Sequence, residues 1–441
     1  MKKCFVSVLL CFLSASLIEA TDLEVGEVQI LRVGGDIGAP RAALGEGICL
    51  VVWREGWSGM GGDAEILGLR LRATTLKALD PQPVQIGSSS GPQDRPTAAF
   101  SNGRFLVAWE DFGNGKDGDI KAAFVDARTG LVTHSNLRIA AGQANQARPH
   151  VCPAQNGFLV AWQQGNDRGT YQVRGRKVLS SGELPAPARV YAAEGARPQV
   201  ASNGNHILVS WTTGTSRGEV SASLLAATSG EVEKLLGVIN SSCAEGLAVS
   251  PVGKRSFWTV AARESFPNPW GWPGPGAVTF SRVLEDGSSP EGNLDYGRRL
   301  TKLSERTVPN VVDAATWGSS GIWNAGVPGG FPGTKDGLWP HGMPSIADDG
   351  QGNVFFAWVK GLVGKDRLSL SNFDIWVTGI DTKTLQTQFK AVRAAGEKEI
   401  DELLPFFVSV DEGRLLLVYV KVGREIQRQL AIRELVPNKG G

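Results

Sequence analysis

The sequence predicts an all-β fold: a β-propeller of seven blades, each of four antiparallel strands, with the ring closed by an N-terminal strand. Three observations carry this. Residues 95–130, RPTAAFSNGRFLVAWEDFGNGKDGDIKAAFVDARTG, hold two apolar strands, a Gly/Asp-rich loop and a third strand closed by a turn, and degenerate copies recur along most of the chain. Proline and tryptophan keep a constant separation in those copies: Pro40/Trp53, Pro96/Trp109, Pro149/Trp162 and Pro198/Trp211 are each 13 apart, and Pro344/Trp358 and Pro405/Tyr419 are 14 apart. Glycine and tryptophan are abundant, at 56 and 13 of 441 residues, which suits many short strands joined by tight turns, and long amphipathic helical patterns are missing.

Within the repeat, Pro96 stands where a strand begins, one of the few sheet positions that tolerates a missing N–H. Residues 97–100 form a short apolar strand, and Ser101-Asn102-Gly103 supply hairpin turn chemistry. Residues 105–109 are continuously apolar, as expected of a strand covered on both faces. The Gly/Asp-rich loop at 110–119 belongs at the surface, 120–125 form a third strand, 126–130 turn, and 137–140 form a fourth. Four strands in about 50 residues match one propeller blade better than a helical repeat.

Taken in order, the chain opens with Lys2 and Lys3, an apolar run at 5–13 and small residues up to Ala20. This is a secretory signal pattern, cleaved after Ala20 or Ser16 and too short to span a bilayer. No later segment reads as a membrane span, so the mature chain, 21–441, is expected to be a single exported domain, secreted or periplasmic. The net charge of +1 argues against nucleic acid as a partner. Cys49, Cys152 and Cys243 lie in different repeats and read as buried apolar thiols. In the fifth copy Trp258 is expected to end the strand 255–260, with Glu245 where a proline would stand. Residues 309–342, rich in Gly and Pro, read as an insertion or half-blade, which leaves eight blades as the alternative count. The last copy stops after three strands, and residues 28–33 supply the missing fourth, sealing edges that would otherwise template aggregation.

The pattern P-x-x-A…G-x-F-L-V-A-W-E-D…D-I…D-x-x-T-G resembles the tryptophan-bearing propeller repeats of secreted bacterial proteins. The resemblance covers residues 28–435 and implies a propeller, but that family has no single activity and the fold hosts enzymes, sugar binders and scaffolds alike.

Candidate chemistry is sparse. Each tryptophan is expected to pack between blades rather than to stack a ligand. Arg95, Arg148 and Arg197 each precede the proline that opens a first strand, so three adjacent blades would present guanidinium groups near one channel mouth. Such a cluster binds anions, carboxylates bidentately, unless each arginine is consumed by blade carbonyls or by Glu110 and Asp111. The Arg-Ile-Pro spacing and aspartate boxes of sialidases are missing. The loop SFPNPWGWPGPG (265–276) presents Trp270 and Trp272, and the inserted segment adds Trp339, as stacking surfaces for sugar rings or as a local plug. Glu110, Asp111, Asn114, Asp117 and Asp119 offer oxygens for calcium, although their order does not match an EF-hand and a solvated turn is the simpler expectation, so no metal or cofactor is expected. Four dispersed histidines assemble neither a zinc set nor a triad. No pair among scattered acids such as Asp313, Asp336 and Asp374 is singled out for glycosidase chemistry. The expectation is a non-catalytic monomer that binds a polysaccharide or another extracellular protein on its loop face. The alternatives are a propeller-type glycoside hydrolase or lyase, and a structural interaction scaffold.

Overall fold

The computed structural model describes residues 22–56, 62–87, 91–113, 117–165, 170–213, 218–263, 277–288, 298–299, 311–313, 344–363, 370–384, 387–410, 413–423 and 427–437. The leader expected at 1–20, the aromatic loop at 265–276 and nearly all of 309–342 lie outside them. The protein is a seven-bladed propeller of four-stranded antiparallel sheets, built without α-helices among the described residues. No helix there is long and apolar enough to cross a membrane.

Blade 1 comprises Ile37–Gly45, Ile48–Glu55, Glu65–Arg72 and Val84–Gln85, and blade 2 comprises Gln93–Ser101, Arg104–Asp111, Asp119–Asp126 and Val132–Ala140. Blade 3 follows with Gln146–Ala154, Gly157–Gly165, Tyr171–Leu179 and Arg189–Ala192. Blades 4 and 5 share one strand. Val232–Val252 pairs along its first half with Gly218–Ala226 and along its second half with Ser256–Arg263, so the outer strand of one blade continues as the inner strand of the next. Blade 6 contains Ser345–Asp348, Asn353–Val363, Leu370–Asp381 and Thr387–Ala395, with Val311–Asp313 also pairing to Asn353–Val363. Blade 7 has Ile400–Ser409, Leu415–Gly423 and Arg428–Pro437 from the end of the chain, and Gln29–Gly34 from its beginning pairs to the last of these (Gln29 opposite Ile432, Gly34 opposite Arg428). The inner strands pack in a closed circle, each against the next and Ile400–Ser409 against Ile37–Gly45. The edge left by the last blade is thus filled by the N-terminal strand.

The recurring Pro–Trp spacing has a structural cause. In blade 2 Asp94 pairs with Glu110 and Thr97 with Ala108, so Arg95 and Pro96 together oppose Trp109. This is a β-bulge, the device that accommodates a residue without an N–H and bends the strand. The same two-against-one arrangement sets Ala39-Pro40 against Trp53, Arg148-Pro149 against Trp162, Arg197-Pro198 against Trp211, and Leu404-Pro405 against Tyr419. The residue before each proline takes a positive φ: 48° at Ala39, 50° at Arg95, 54° at Arg148, 55° at Arg197 and 57° at Leu404. Side chains rarely adopt that region, and strain of this kind persists only where the surroundings enforce it.

The indoles opposite these bulges are buried and pack against the preceding blade. Trp109 lies in a cluster with Leu50, Val52 and Ile66 of blade 1, and Trp162 with Leu106, Ile120 and Phe124 of blade 2. The indole N–H groups of Trp53 and Trp109 donate to carboxylates two residues along their own strands, Glu55 (3.1 Å) and Asp111 (3.4 Å). Cys49 and Cys152 are buried free thiols, as expected.

Blade 5 departs from the pattern. Its second strand runs from Ser256 to Arg263, so Trp258 stands near the start of the strand instead of ending it. There it stacks on Phe280 at 5.1 Å. The inner-strand residue before the channel position is Leu247, which pairs directly with Ala261, and not Glu245. With neither proline nor opposing tryptophan at this level, Leu247 pairs directly, and the register shift falls earlier, between Ala244 and Gly246.

Candidate functional site

The bulges set the three arginines at the same register of three adjacent blades. Arg148 is half-buried and close enough to Arg95 and Arg197 for both charges to act on it. Burial first, and those two neighbours second, push its guanidinium down to about 9. Arg95 is committed differently. Its Nη1 donates to both oxygens of Glu110 at 3.0 and 2.8 Å, and the charge of that buried carboxylate, chiefly, raises Arg95 above the ordinary arginine value. Glu110 also accepts the backbone N–H of Arg148 at 2.6 Å. In the next blade Gln163 accepts the N–H of Arg197 at 2.9 Å.

A rule emerges. The residue after the tryptophan reaches across the blade boundary and holds the strained residue before the next proline. In blade 1 that residue is Arg54, fully buried, which approaches Asp94 at 3.5 Å while Asp94 accepts the N–H of Arg95 at 2.8 Å. Arg54 also pairs with Asp36 (3.2 Å), and Asp36 pairs with Arg428 of blade 7. A chain of alternating charge therefore crosses blades 7, 1, 2 and 3. Among the described residues no carboxylate lies within ion-pairing distance of the Arg148 guanidinium.

Below the arginines lies a second level that sequence spacing alone did not reveal. Arg41, Thr97, His150, Gln199, Ala248, Ser345 and Phe406 occupy one register, one from each blade, opposite Val52, Ala108, Ala161, Ser210, Val260, Ala357 and Val418. The Arg41 guanidinium carbon sits 5.1 Å from the Phe406 ring centroid, and Nη1 donates to the Pro40 carbonyl at 2.8 Å. His150 accepts the N–H of Val200 at Nδ1 (3.2 Å), which leaves the imidazole proton on Nε2. Burial, with Arg41 second, drives His150 down to about 3, so the ring is a neutral donor at ordinary pH.

The expected three-arginine cluster thus divides. The charges of Arg95 and Arg197 both act on Arg148, and Arg95 is tied to Glu110. Glu110 and Asp111, offered as calcium ligands, are taken by Arg95 and by Lys121 (2.8 Å), and no described group of three or more His, Cys, Asp or Glu is arranged to hold a metal. Trp270, Trp272 and Trp339 lie outside the described residues.

A separate acidic group sits between blades 6 and 7. Glu402, sealed from solvent, accepts the N–H of Glu397 at 3.1 Å, and its Oε2 finds no partner. Burial, with the neighbouring charges of Asp374 and Glu397 outweighing Lys421, raises it to about 8. Its folded value is above its unfolded one, so the folded protein binds the extra proton between roughly pH 4.5 and 8. Stability should therefore fall as pH rises through that window, by on the order of a few kcal/mol. Glu402→Gln should flatten this dependence, and denaturant unfolding should find it more stable than wild type at pH 8 but equal near pH 4.5. Equal slopes for the two proteins would contradict the assignment.

No family model and no curated protein matches the chain. Solved structures share its architecture. The polysaccharide lyase Uly1 is similar with a TM-score of 0.48 at 9% identity, over 93% of this chain and 91% of that one. A Trypanosoma rangeli sialidase is similar with a TM-score of 0.46 at 6% identity, over 91% of this chain and 55% of its own. A GH43_1 enzyme from Xanthomonas citri gives 0.38 at 12% identity, over 62% and 95%. These likenesses bear on the fold. The expectation of a non-catalytic binder is not met among the structures named, which are glycoside hydrolases and a polysaccharide lyase.

Proposed function

We propose that the protein is an exported propeller enzyme that cleaves an acidic, uronate-bearing polysaccharide at the channel mouth. The observation that supports this most directly is Arg148: half-buried, flanked by two like charges, and without a carboxylate at ion-pairing distance among the described residues. A guanidinium held in that way is completed by an anion, and Arg148 would take a substrate carboxylate in forked hydrogen bonds.

β-Elimination is the reaction such a cluster serves best. In elimination a base takes the proton next to the uronate carboxylate. The adjacent carbon–oxygen bond to the leaving sugar breaks as the carbon–carbon double bond forms, and that sugar departs with its oxygen and takes up a proton. The charge that builds on the carboxylate meanwhile is stabilised by donors aimed there more than the ground state is. Hydrolysis needs two accessible carboxyl groups, and the acid with the most strongly raised value, Glu402, is closed off from solvent. Trp270, Trp272 and Trp339 would supply stacking surfaces for the flanking sugars, and the leader pattern at 1–20 fits an extracellular substrate.

The test is a panel of polyuronates and neutral glycans with two readouts. Elimination leaves a double bond conjugated to the carboxylate and hence new ultraviolet absorbance; hydrolysis releases reducing ends without it. Arg148→Gln should lower kcat/KM by about 10²–10³-fold, the usual loss for one oxyanion donor. Cleavage of neutral glycans alone, or cleavage unaffected by Arg148→Gln, would overturn the reading.

A further inference from the structure

We propose that blade 2 closes a covalent bond on itself: an amide between the side chains of Lys121 and Asp111, formed with Asp119 as the proton carrier. The bond fastens the second strand to the third one residue from Glu110, and its test does not depend on the proposed enzyme activity.

The register sets Trp109, Asp111, Asp119 and Lys121 on one face of the sheet, because Asp111 pairs with Asp119 and Trp109 with Lys121. The Lys121 Nζ stands 2.8 Å from Asp111 Oδ1. Asp111 is 1% exposed and Asp119 9%, so the group is far drier than a surface ion pair. Donors hold the Asp111 carboxylate in place. Its Oδ2 accepts from Gln93 Nε2 and Trp109 Nε1, each at 3.4 Å, and its Oδ1 from the Gly113 N–H at 3.1 Å. Asp119 lies directly across, and its Oδ1 is buried without a hydrogen-bond partner. Burial raises Asp119 against the Gly142 N–H and the charges of Arg138 and Lys121, which makes it a better acceptor for a lysine proton. The backbone beside it is pinned to blade 3, since Gly118 donates to Asn145 Oδ1 at 2.9 Å and accepts the Gln146 N–H at 2.8 Å. The corresponding places hold Glu55, Glu65 and Leu67 in blade 1, and Gln164, Gln172 and Arg174 in blade 3, so neither neighbour has the amine.

The chemistry is a condensation. Lys121 Nζ passes a proton to Asp119 and attacks Asp111 Cγ. The new N–C bond forms, the charge that develops on Oδ2 meets the Gln93 and Trp109 donors, and the Cγ–Oδ1 bond breaks. Oδ1 leaves as water with the two protons the ammonium gives up, relayed by Asp119, which ends as it began. No other reactant is consumed. Such a condensation is uphill for free groups in water, but groups held in contact react with effective molarities of about 10⁵–10⁸ M, and a site closed to water slows the reverse.

Mass spectrometry of the full chain tests this. The denatured wild-type protein should be lighter by one water than its sequence requires. A tryptic digest should show no cleavage at Lys121 and should yield residues 105–116 joined to residues 117–128 through Asp111 and Lys121. Lys121→Arg keeps the ion pair but has no amine to acylate, so it should have the full mass and be cut normally at 121. Asp119→Asn keeps the shape but cannot carry the proton, and it should stay largely unlinked. Full mass with ordinary cleavage at Lys121, a lost water that maps to one unbranched peptide, or a link that forms equally in Asp119→Asn would overturn the proposal. Should either variant fail to fold, the wild-type digest decides. A chain inert on every polysaccharide leaves this bond standing, and an unlinked chain leaves the carboxylate site standing.

Discussion

Removing residues 22–34 should lower the melting temperature by about 10 °C and make the protein prone to aggregate. The segment contributes the fourth strand of blade 7, with Gln29, Ile30, Arg32, Val33 and Gly34 paired to the last strand of the chain, and Leu23–Val25 extends the same edge. Without it Arg428–Pro437 becomes an exposed edge carrying unpaired N–H and C=O groups, a template for intermolecular pairing. The loss also takes away buried Leu23, the half-buried Val25, Val28 and Leu31, and the Arg32–Glu55 pair (2.5 Å) that ties this strand to blade 1. In a domain of this size about 1 kcal/mol moves the melting temperature by only 2 °C or so, and several kcal/mol of burial and strand pairing are at stake. Calorimetry on the truncated and full-length proteins checks it. Identical transitions would mean that the N-terminal strand decorates the ring without closing it.

Glu110→Ala should cost about 3–5 kcal/mol of stability, the usual cost of stripping one partner from a buried ion pair. Glu110 holds two groups at once, the guanidinium of Arg95 and the strained backbone of Arg148. Its removal leaves three guanidinium groups with less compensating charge and one bulge without its clasp. Glu110→Gln should lose less, because an amide oxygen can still accept the Arg148 N–H, the arrangement Gln163 already makes for Arg197. Sulfate should restore part of the alanine variant's loss by supplying an anion to the arginines. Denaturant unfolding of both variants at low and high sulfate measures this, and equal losses for Ala and Gln would remove the clasp from the account.

The ring was readable from the sequence because one local constraint writes itself into it. A proline in an inner strand forces a bulge, the bulge faces one residue of the next strand, and a large aromatic fills that place, so Pro and Trp recur at a fixed distance. The same logic misled in blade 5, where Leu247 stands in place of the proline and Trp258 belongs to a different level. The arginines were legible since they adjoin the prolines. Glu110's double role, the effect of Arg41 on His150 and the buried Glu402 were not, because each depends on which blades lie side by side and at what register. Dispersed histidines look inert in one dimension. The tautomer of His150 is fixed only when the N–H of Val200 in the neighbouring blade reaches its Nδ1.

Blades 4 and 5 are joined through one shared strand, Val232–Val252, which pairs with both of them. Amide protons on either side of that strand should then exchange with deuterium as one cooperative block, while the other sectors open singly. Under mechanical load or partial denaturation, that plate of two sheets would be the fragment that stays whole.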